Sequence, residues 1–289
     1  MKHLQRSAIT LSFCFILALI SHTALSNTVD ETSPIVALCG EIGDKLGSVS
    51  TQDCQQQHLS DSGQRSNEGR ALAYKEYPPL NNKLPLGRVL LMGGIHGDEY
   101  SAISIMFKWM DKLNQYHSGL FHWKVIPLLN PDGLLQTTAQ RQNANGVDLN
   151  RNFPSQDWQA LAQQYWRQRT HKNIRRYPGK TAASEPETQW FIELINTFKP
   201  DAIIAVHAPH QLVDFDGPQA PPQNLGSLRL RRLGIYPGSL GNYAGVDLDI
   251  PVVTVELASA GIMPSNKEVT KMWVDLVGWL RKELPKRKR

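Results

Sequence analysis

Apolar and polar positions alternate along this chain in two rhythms. Short apolar runs, Val89 to Met92, His122 to Leu129, Ala202 to Val206 and Val252 to Leu257, have the length of buried strands. Between them the apolar residues recur at helical spacing. Ile103, Phe107 and Met110 predict a helix over Tyr100 to Leu113. Gln156 to Arg169 and Glu185 to Phe198 read as two more, and Pro186 suits the first turn of the second. Val269, Met272, Trp273, Leu276, Val277 and Leu280 fall on one face of a helix over Lys267 to Leu284. Arg70 to Tyr77 reads as an early strand stopped by Pro78 and Pro79. Strands alternating with helices predict an α/β fold whose central sheet is mixed but mainly parallel and is flanked by helices. This pattern occupies residues 67–284 and is followed by a solvated basic tail, residues 285–289.

Ahead of it the rhythm is absent. Residues 27–66 are polar and rich in Gln and Ser, with Pro34 to Leu46 as the best helix and Gln55 to Asn67 linker-like. They read as a small N-terminal appendage and linker. Residues 1–26 have the form of a signal peptide. Lys2 and Arg6 supply the charge, and Ile9 to Ile20 is apolar but too short to span a bilayer. Ala24 and Ser26 place small residues before a cleavage point at Asn27. The mature protein is therefore expected in the periplasm or outside the cell, with no stable membrane insertion. Cleavage leaves Cys39 and Cys54, an even pair that suggests a disulfide in an exported chain; free thiols are the alternative.

Composition adds little. At 289 residues there is room for one large α/β domain, and 41% hydrophobic with 20% charged residues is ordinary for a globular protein. Loss of Lys2 and Arg6, with no acid, lowers the formal net charge from +5 to +3. That is too weak for nucleic-acid binding, and no motif for it is present. The protein is expected to be a monomer.

The candidate chemistry collects at predicted strand ends, where open α/β sheets place their sites. Gly93 to Glu99 hands the strand at Met92 to the helix at Tyr100, and carries His96 and Glu99 at i and i+3. His207 follows the strand Ala202 to Val206 directly. Two imidazoles and a carboxylate form a common catalytic zinc set with one position left for water. His210 competes with His207 but lies beyond Pro209, in the loop. Glu256 closes the apolar run at Val255, where an unpaired carboxylate is costly; it reads as a general base or as half of a buried salt bridge. Arg141 can polarise a scissile carbonyl, and Asn150 with Arg151 can clamp a substrate carboxylate.

In chain order His96 and Glu99, the run Asn130-Pro131-Asp132-Gly133, Arg141, the run Asp148 to Asn152, His207 and Glu256 resemble the zinc carboxypeptidase family over roughly residues 66–283. The form of the turn at Gly93 to Glu99 and the run Gly146 to Pro154 are more similar to its bacterial branch. That branch includes murein peptide amidases, which cut between γ-D-glutamate and meso-diaminopimelate. The resemblance implies an eight-stranded mixed sheet and one zinc ion on His96, Glu99 and His207. It also implies Arg141 as electrophile, Glu256 as base, Asn150 and Arg151 on the terminal carboxylate, and peptidoglycan peptides as substrate. The family's mobile tyrosine has two candidates, Tyr236 and Tyr243, with Tyr236 preferred. Leu240 stands where some members carry an acid for basic substrates. Asp214 and Asp216 are candidates to meet the amine of diaminopimelate, or turn residues before Gly217. A general carboxypeptidase, a silent wall-binding module and an acyl-amino-acid deacylase are the competing functions.

Overall fold

A computed structural model describes residues 33–80 and 84–287. Residues 1–26, expected to be a signal peptide, and the last two residues of the expected basic tail lie outside the described residues. The described residues begin with α1 (Pro34–Lys45) and α2 (Thr51–Gln55), then β1 (Ser60–Arg65), β2 (Ala71–Tyr77) and β3 (Arg88–Met92). Next come α3 (Tyr100–Tyr116), β4 (His122–Ile126), α4 (Pro131–Leu135), α5 (Trp158–Gln168) and α6 (Pro186–Phe198). The last part holds β5 (Ala202–His207), β6 (Leu212–Asp216), β7 (Asn224–Leu225), β8 (Leu228–Leu230), β9 (Val252–Glu256) and α7 (Asn266–Arg287).

The strands form one sheet in the order β1-β2-β4-β3-β5-β9-β6-β8-β7. Its centre, β4-β3-β5-β9, is parallel; β2 runs antiparallel to β4, and β6 antiparallel to β9. Helices cover both faces. Val89, Leu91, Ile204, Val206, Val253 and Val255 pack with α3 and α7. Leu90, Met92, Ile203, Ala205 and Val252 pack with α6 on the other side. The alternation of these positions is the two-residue repeat of a strand buried on both faces. Among the described residues no helix is long and apolar enough to cross a membrane.

Two expectations change. The sheet has nine strands among the described residues, where the family resemblance implied eight. The additional edge comes from the stretch expected to be a linker: Ser60–Arg65 is β1, antiparallel to β2. The N-terminal residues are also stitched into the main body. Leu38, Cys39 and Ile42 of α1 and Cys54 of α2 are buried in the core shared with α3. Pro34 opens α1, and a reciprocal capping box between Ser50 and Asp53 opens α2. The expected disulfide, Cys39–Cys54, joins the two helices.

Candidate active site

Strand ends and the turns that follow them build the site. β5 carries Ile203 and Ala205 toward α6, so His207, two residues on, continues that face. In β9, Val252, Thr254 and Glu256 follow the same rule. The register pairs His207 with Glu256 on adjacent parallel strands, so both side chains leave the sheet side by side. In β6, Val213 and Phe215 belong to the opposite core, which turns Asp214 and Asp216 to this side as well.

His96 and Glu99 come from the turn after β3, and Glu99 is the N-cap of α3. The turn lies so close to Asn130-Pro131-Asp132-Gly133 that a Cβ at Gly97 would stand 2.1 Å from the Gly133 carbonyl carbon. Glycine is required there by contact. Asn130 locks the approach. Its side-chain oxygen accepts from Gly133 N (2.9 Å), while its amide donates to Ile95 O (3.3 Å) and Arg141 O (3.2 Å). One residue thus ties the metal-ligand turn to the segment that carries Arg141.

One donor atom from each of His96, Glu99 and His207 lies within 4.8 Å of the others, and all three residues are buried. His96 Nδ1 is 2.8 Å from Glu99 Oε1 and 3.2 Å from His207 Nδ1. The other ring nitrogen, Nε2, lies 3.1 Å from Asp148 Oδ1. An N–H donated to that carboxylate leaves Nδ1 as a lone pair, which faces the Glu99 carboxylate and accepts from Arg141 Nη1. Two acceptors so close need a shared positive charge between them. Electrostatics agree: burial lowers the affinity of His207 for a proton, but Glu99 and Glu256 outweigh it and hold its pKa above the ordinary value. Burial likewise opposes the charge on Glu99, yet His96 and His207 keep its carboxyl far below the usual range. The residues present therefore fit a zinc ion. His210 is outside this set. It is exposed, and its backbone N–H donates to Glu256 Oε2 (3.4 Å).

Arg141 enters the cluster from the side. Its Nη1 is 3.1 Å from His96 Nδ1, and its Nε donates to Asp148 Oδ2 (2.9 Å). Burial works against the Asp148 charge, but Arg141 and His96 keep its carboxyl well below the ordinary value. Asp148 therefore orients His96, a candidate metal ligand, and Arg141 at once. The sequence showed Asp148 only as part of a motif.

His96, Glu99, Arg141, His207 and Glu256 line a cavity of about 280 Å³ whose wall also includes Asn150, Arg151, Asp214, Asp216 and Tyr236. Asn150 uses its side-chain oxygen to accept from Leu240 N (2.8 Å), so its NH₂ group remains for a ligand. The Arg151 guanidinium lies over the Tyr236 ring, 4.6 Å from the centroid, and its Nε is buried without a partner among the described residues. Burial pushes the Arg151 pKa down to about 10. Tyr243, the other candidate tyrosine, is stacked on Phe153 in the core, and Leu240 is buried in the same cluster. Asp216 is pushed up to about 6 by burial and by the Asp214 charge. Two carboxylates held together in a half-buried wall favour a cation between them.

The zinc carboxypeptidase family profile matches residues 48–229. The chain belongs to the zinc carboxypeptidase family. Its members are hydrolases that depend on zinc, in accord with the donor set described above. Within the family it is similar to murein peptide amidase A of Escherichia coli K12, 28% identical over 205 residues that span 67% of this chain and 81% of the relative. The murein peptide amidase A of Vibrio campbellii is 32% identical over 180 residues, 59% of this chain and 69% of the relative. Among solved structures, the murein-tripeptide amidase of Escherichia coli O157 superposes with a TM-score of 0.53 at 25% identity, covering 77% of this chain and 91% of that one. The carboxypeptidase A of Helicoverpa armigera shares the fold, with a TM-score of 0.62 at 17% identity over 82% of this chain and 73% of that one.

Proposed function

We propose that this zinc carboxypeptidase-family protein is an exported amidase that hydrolyses the γ-D-glutamyl–meso-diaminopimelate bond in peptidoglycan-derived peptides. The observation that carries the reading is the polarity of the cavity. A carboxylate clamp, Asn150 and Arg151, and an acidic pair, Asp214 and Asp216, line the same space beside the metal donors. Diaminopimelate carries carboxylate and ammonium groups to match both. Similarity to murein peptide amidases supports the choice.

His96, Glu99 and His207 would hold one zinc ion, which when bound would supply Lewis acidity toward the amide carbonyl and the attacking water. The chain's own residues do the rest. Glu256 takes a proton from the attacking water as the new C–O bond forms. It returns that proton to the departing nitrogen as the C–N bond breaks. Arg141 donates N–H bonds to the carbonyl oxygen as negative charge grows on it. Asn150 and Arg151 fix the carboxylate beside the scissile bond, and Tyr236 closes over it. Asp214 and Asp216 receive the free ammonium.

The test is digestion of purified muropeptides by zinc-loaded protein, with products identified by mass. Products split between D-glutamate and diaminopimelate are expected. If only ordinary peptides lose their C-terminal residue, the protein is a general carboxypeptidase. Glu256→Gln is expected to lose about 10²–10⁴-fold in turnover with zinc still bound; wild-type turnover refutes the assigned role. Export is supported by the N-terminal sequence pattern and by the Cys39–Cys54 disulfide. A mature N-terminus other than Asn27, or recovery from the cytoplasm, refutes it.

A further inference from the structure

Between α5 and α6 the chain contributes Thr170 and Arg176 to the cavity wall. Arg176 ends a 3-10 turn, Ile174–Arg176, whose backbone is held on both sides. Gln142 Nε2 donates to Ile174 O (3.0 Å), and Asp148 N donates to Tyr177 O (2.8 Å). Asn173 Oδ1 caps Arg175 N (3.0 Å). The Arg175 side chain pairs with Asp98 Oδ2 at 2.8 Å, between His96 and Glu99 in sequence. The turn is therefore fixed to the segments that carry the metal donors and Arg141.

The Arg176 guanidinium has no such engagement. It makes no hydrogen bond among the described residues, and the carboxylate nearest to it, Asp148 Oδ2, is 3.9 Å away. That oxygen already accepts from Arg141 Nε at 2.9 Å. Arg141, Arg151 and Arg176 thus face one cavity with Asp148 as their shared counter-ion. A half-buried guanidinium on a rigid backbone, with its fork open to a cavity, matches a carboxylate. The fixed backbone confines the ordering cost on binding to the side chain itself.

We infer that Arg176 binds a second carboxylate of the substrate, separate from the one held by Asn150 and Arg151. The inference rests on the amidase reading and sharpens it. In a γ-D-glutamyl–meso-diaminopimelate peptide the second carboxylate has two sources. One is the α-carboxylate that a γ-linked glutamate leaves free on the acyl side. The other is the distal carboxylate of diaminopimelate on the leaving side. An ordinary peptide with a neutral C-terminal residue offers neither.

Three peptides separate the sources: the parent, one with the glutamate α-carboxylate amidated, and one with lysine in place of diaminopimelate. Zinc-loaded wild type and Arg176→Gln are compared on each. For the parent, Arg176→Gln is expected to raise KM about 10–100-fold with little change in kcat, as for loss of a charge-assisted contact made in ground and transition state alike. Arg176→Lys is expected to recover part of the loss. The peptide that lacks the recognised carboxylate will be cleaved alike by wild type and variant, which names the source. Equal losses of kcat on all three peptides, or no loss on any, overturn the inference; the first would make Arg176 only a neighbour of Asp148. If wild type cleaves none of them, the amidase reading fails by itself. Calorimetric binding of the same peptides to zinc-loaded Glu256→Gln, with and without Arg176→Gln, then decides the carboxylate inference: weaker binding of the parent and of the one analogue that keeps the recognised carboxylate supports it, and unchanged binding of all three refutes it.

Discussion

Asp148→Asn is the most informative single change. The wild-type carboxylate is fully buried and serves several donors: His96 Nε2 (3.1 Å), Arg141 Nε (2.9 Å) and the Asn150 backbone N–H (3.1 Å). Asparagine keeps the shape, loses the charge, and turns an NH₂ group toward a nitrogen that is itself a donor. Loss of a carboxylate that orients a ligand histidine costs about 10–100-fold in metal affinity. In free energy that is about 1.4–3 kcal/mol. Arg141 loses its counter-ion at the same time, and displacement of a group that stabilises the oxyanion costs about 10²–10³-fold in turnover.

The two losses separate experimentally. Competition with a chromophoric chelator gives the zinc affinity of wild type and variant. Rates at saturating zinc then remove the occupancy effect and leave the part that acts through Arg141. The expected variant is folded by circular dichroism, binds zinc more weakly, and stays slow when fully loaded. Wild-type zinc affinity in Asp148→Asn refutes the tautomer assignment. Weak binding with full recovery of rate at saturating zinc refutes the coupling to Arg141.

Other expectations follow from single contacts. His210→Ala keeps zinc stoichiometry, because its link to the site is a backbone N–H, whereas His207→Ala loses the metal; elemental analysis distinguishes them. Glu187 is buried, with Oε1 unpartnered among the described residues and Oε2 accepting from Asn143 (3.1 Å), and burial pushes its pKa up to about 7 from 4.5. The native state therefore holds a proton that the unfolded chain gives up, and stability falls as pH rises through that window, by about 3 kcal/mol at roughly 1.4 per unit. Glu187→Gln removes this slope and is the more stable protein at about pH 8 but not at about pH 5 in urea unfolding; parallel curves refute the assignment. Replacing both Cys39 and Cys54 with serine opens a crosslink of sequence separation 15 and lowers unfolding free energy by roughly 3 kcal/mol.

Much of the site was legible because its residues follow apolar runs. His96, His207 and Glu256 stand at or just after the ends of β3, β5 and β9, strands that show in the sequence as short apolar runs. β1 gave no such signal. Ser60–Arg65 has no apolar residue and exposes both faces, so it belongs to the sheet through backbone hydrogen bonds that side-chain pattern does not report. The choice between Tyr236 and Tyr243 was also beyond spacing. A π-helical segment, Gly241–Asp247, turns Tyr243 into the core while Tyr236 stays on the cavity wall. Arg176 sits in a polar stretch with other basic residues, and nothing in the one-dimensional pattern distinguishes it from exposed Arg175 or Arg169. Its place on the cavity wall does.

The hydrolytic and the selective parts of the site rest on different kinds of support. His207 and Glu256 are register partners on neighbouring parallel strands, and strand spacing of about 4.8 Å sets their separation without any loop. A one-residue slip of β9 would send Glu256 into the core beneath α3 and α7, so burial of Val253 and Val255 enforces the position of the base. Arg176 depends instead on hydrogen bonds from Gln142 and Asp148 to a short turn between helices. Changes in that turn can alter which carboxylates are accepted while leaving the sheet register, and with it the zinc chemistry, intact. Asp214 and Asp216 are strand residues whose direction is fixed by burial of Val213 and Phe215, so the proposed ammonium site shares the rigid support of Glu256 rather than the looser support of Arg176.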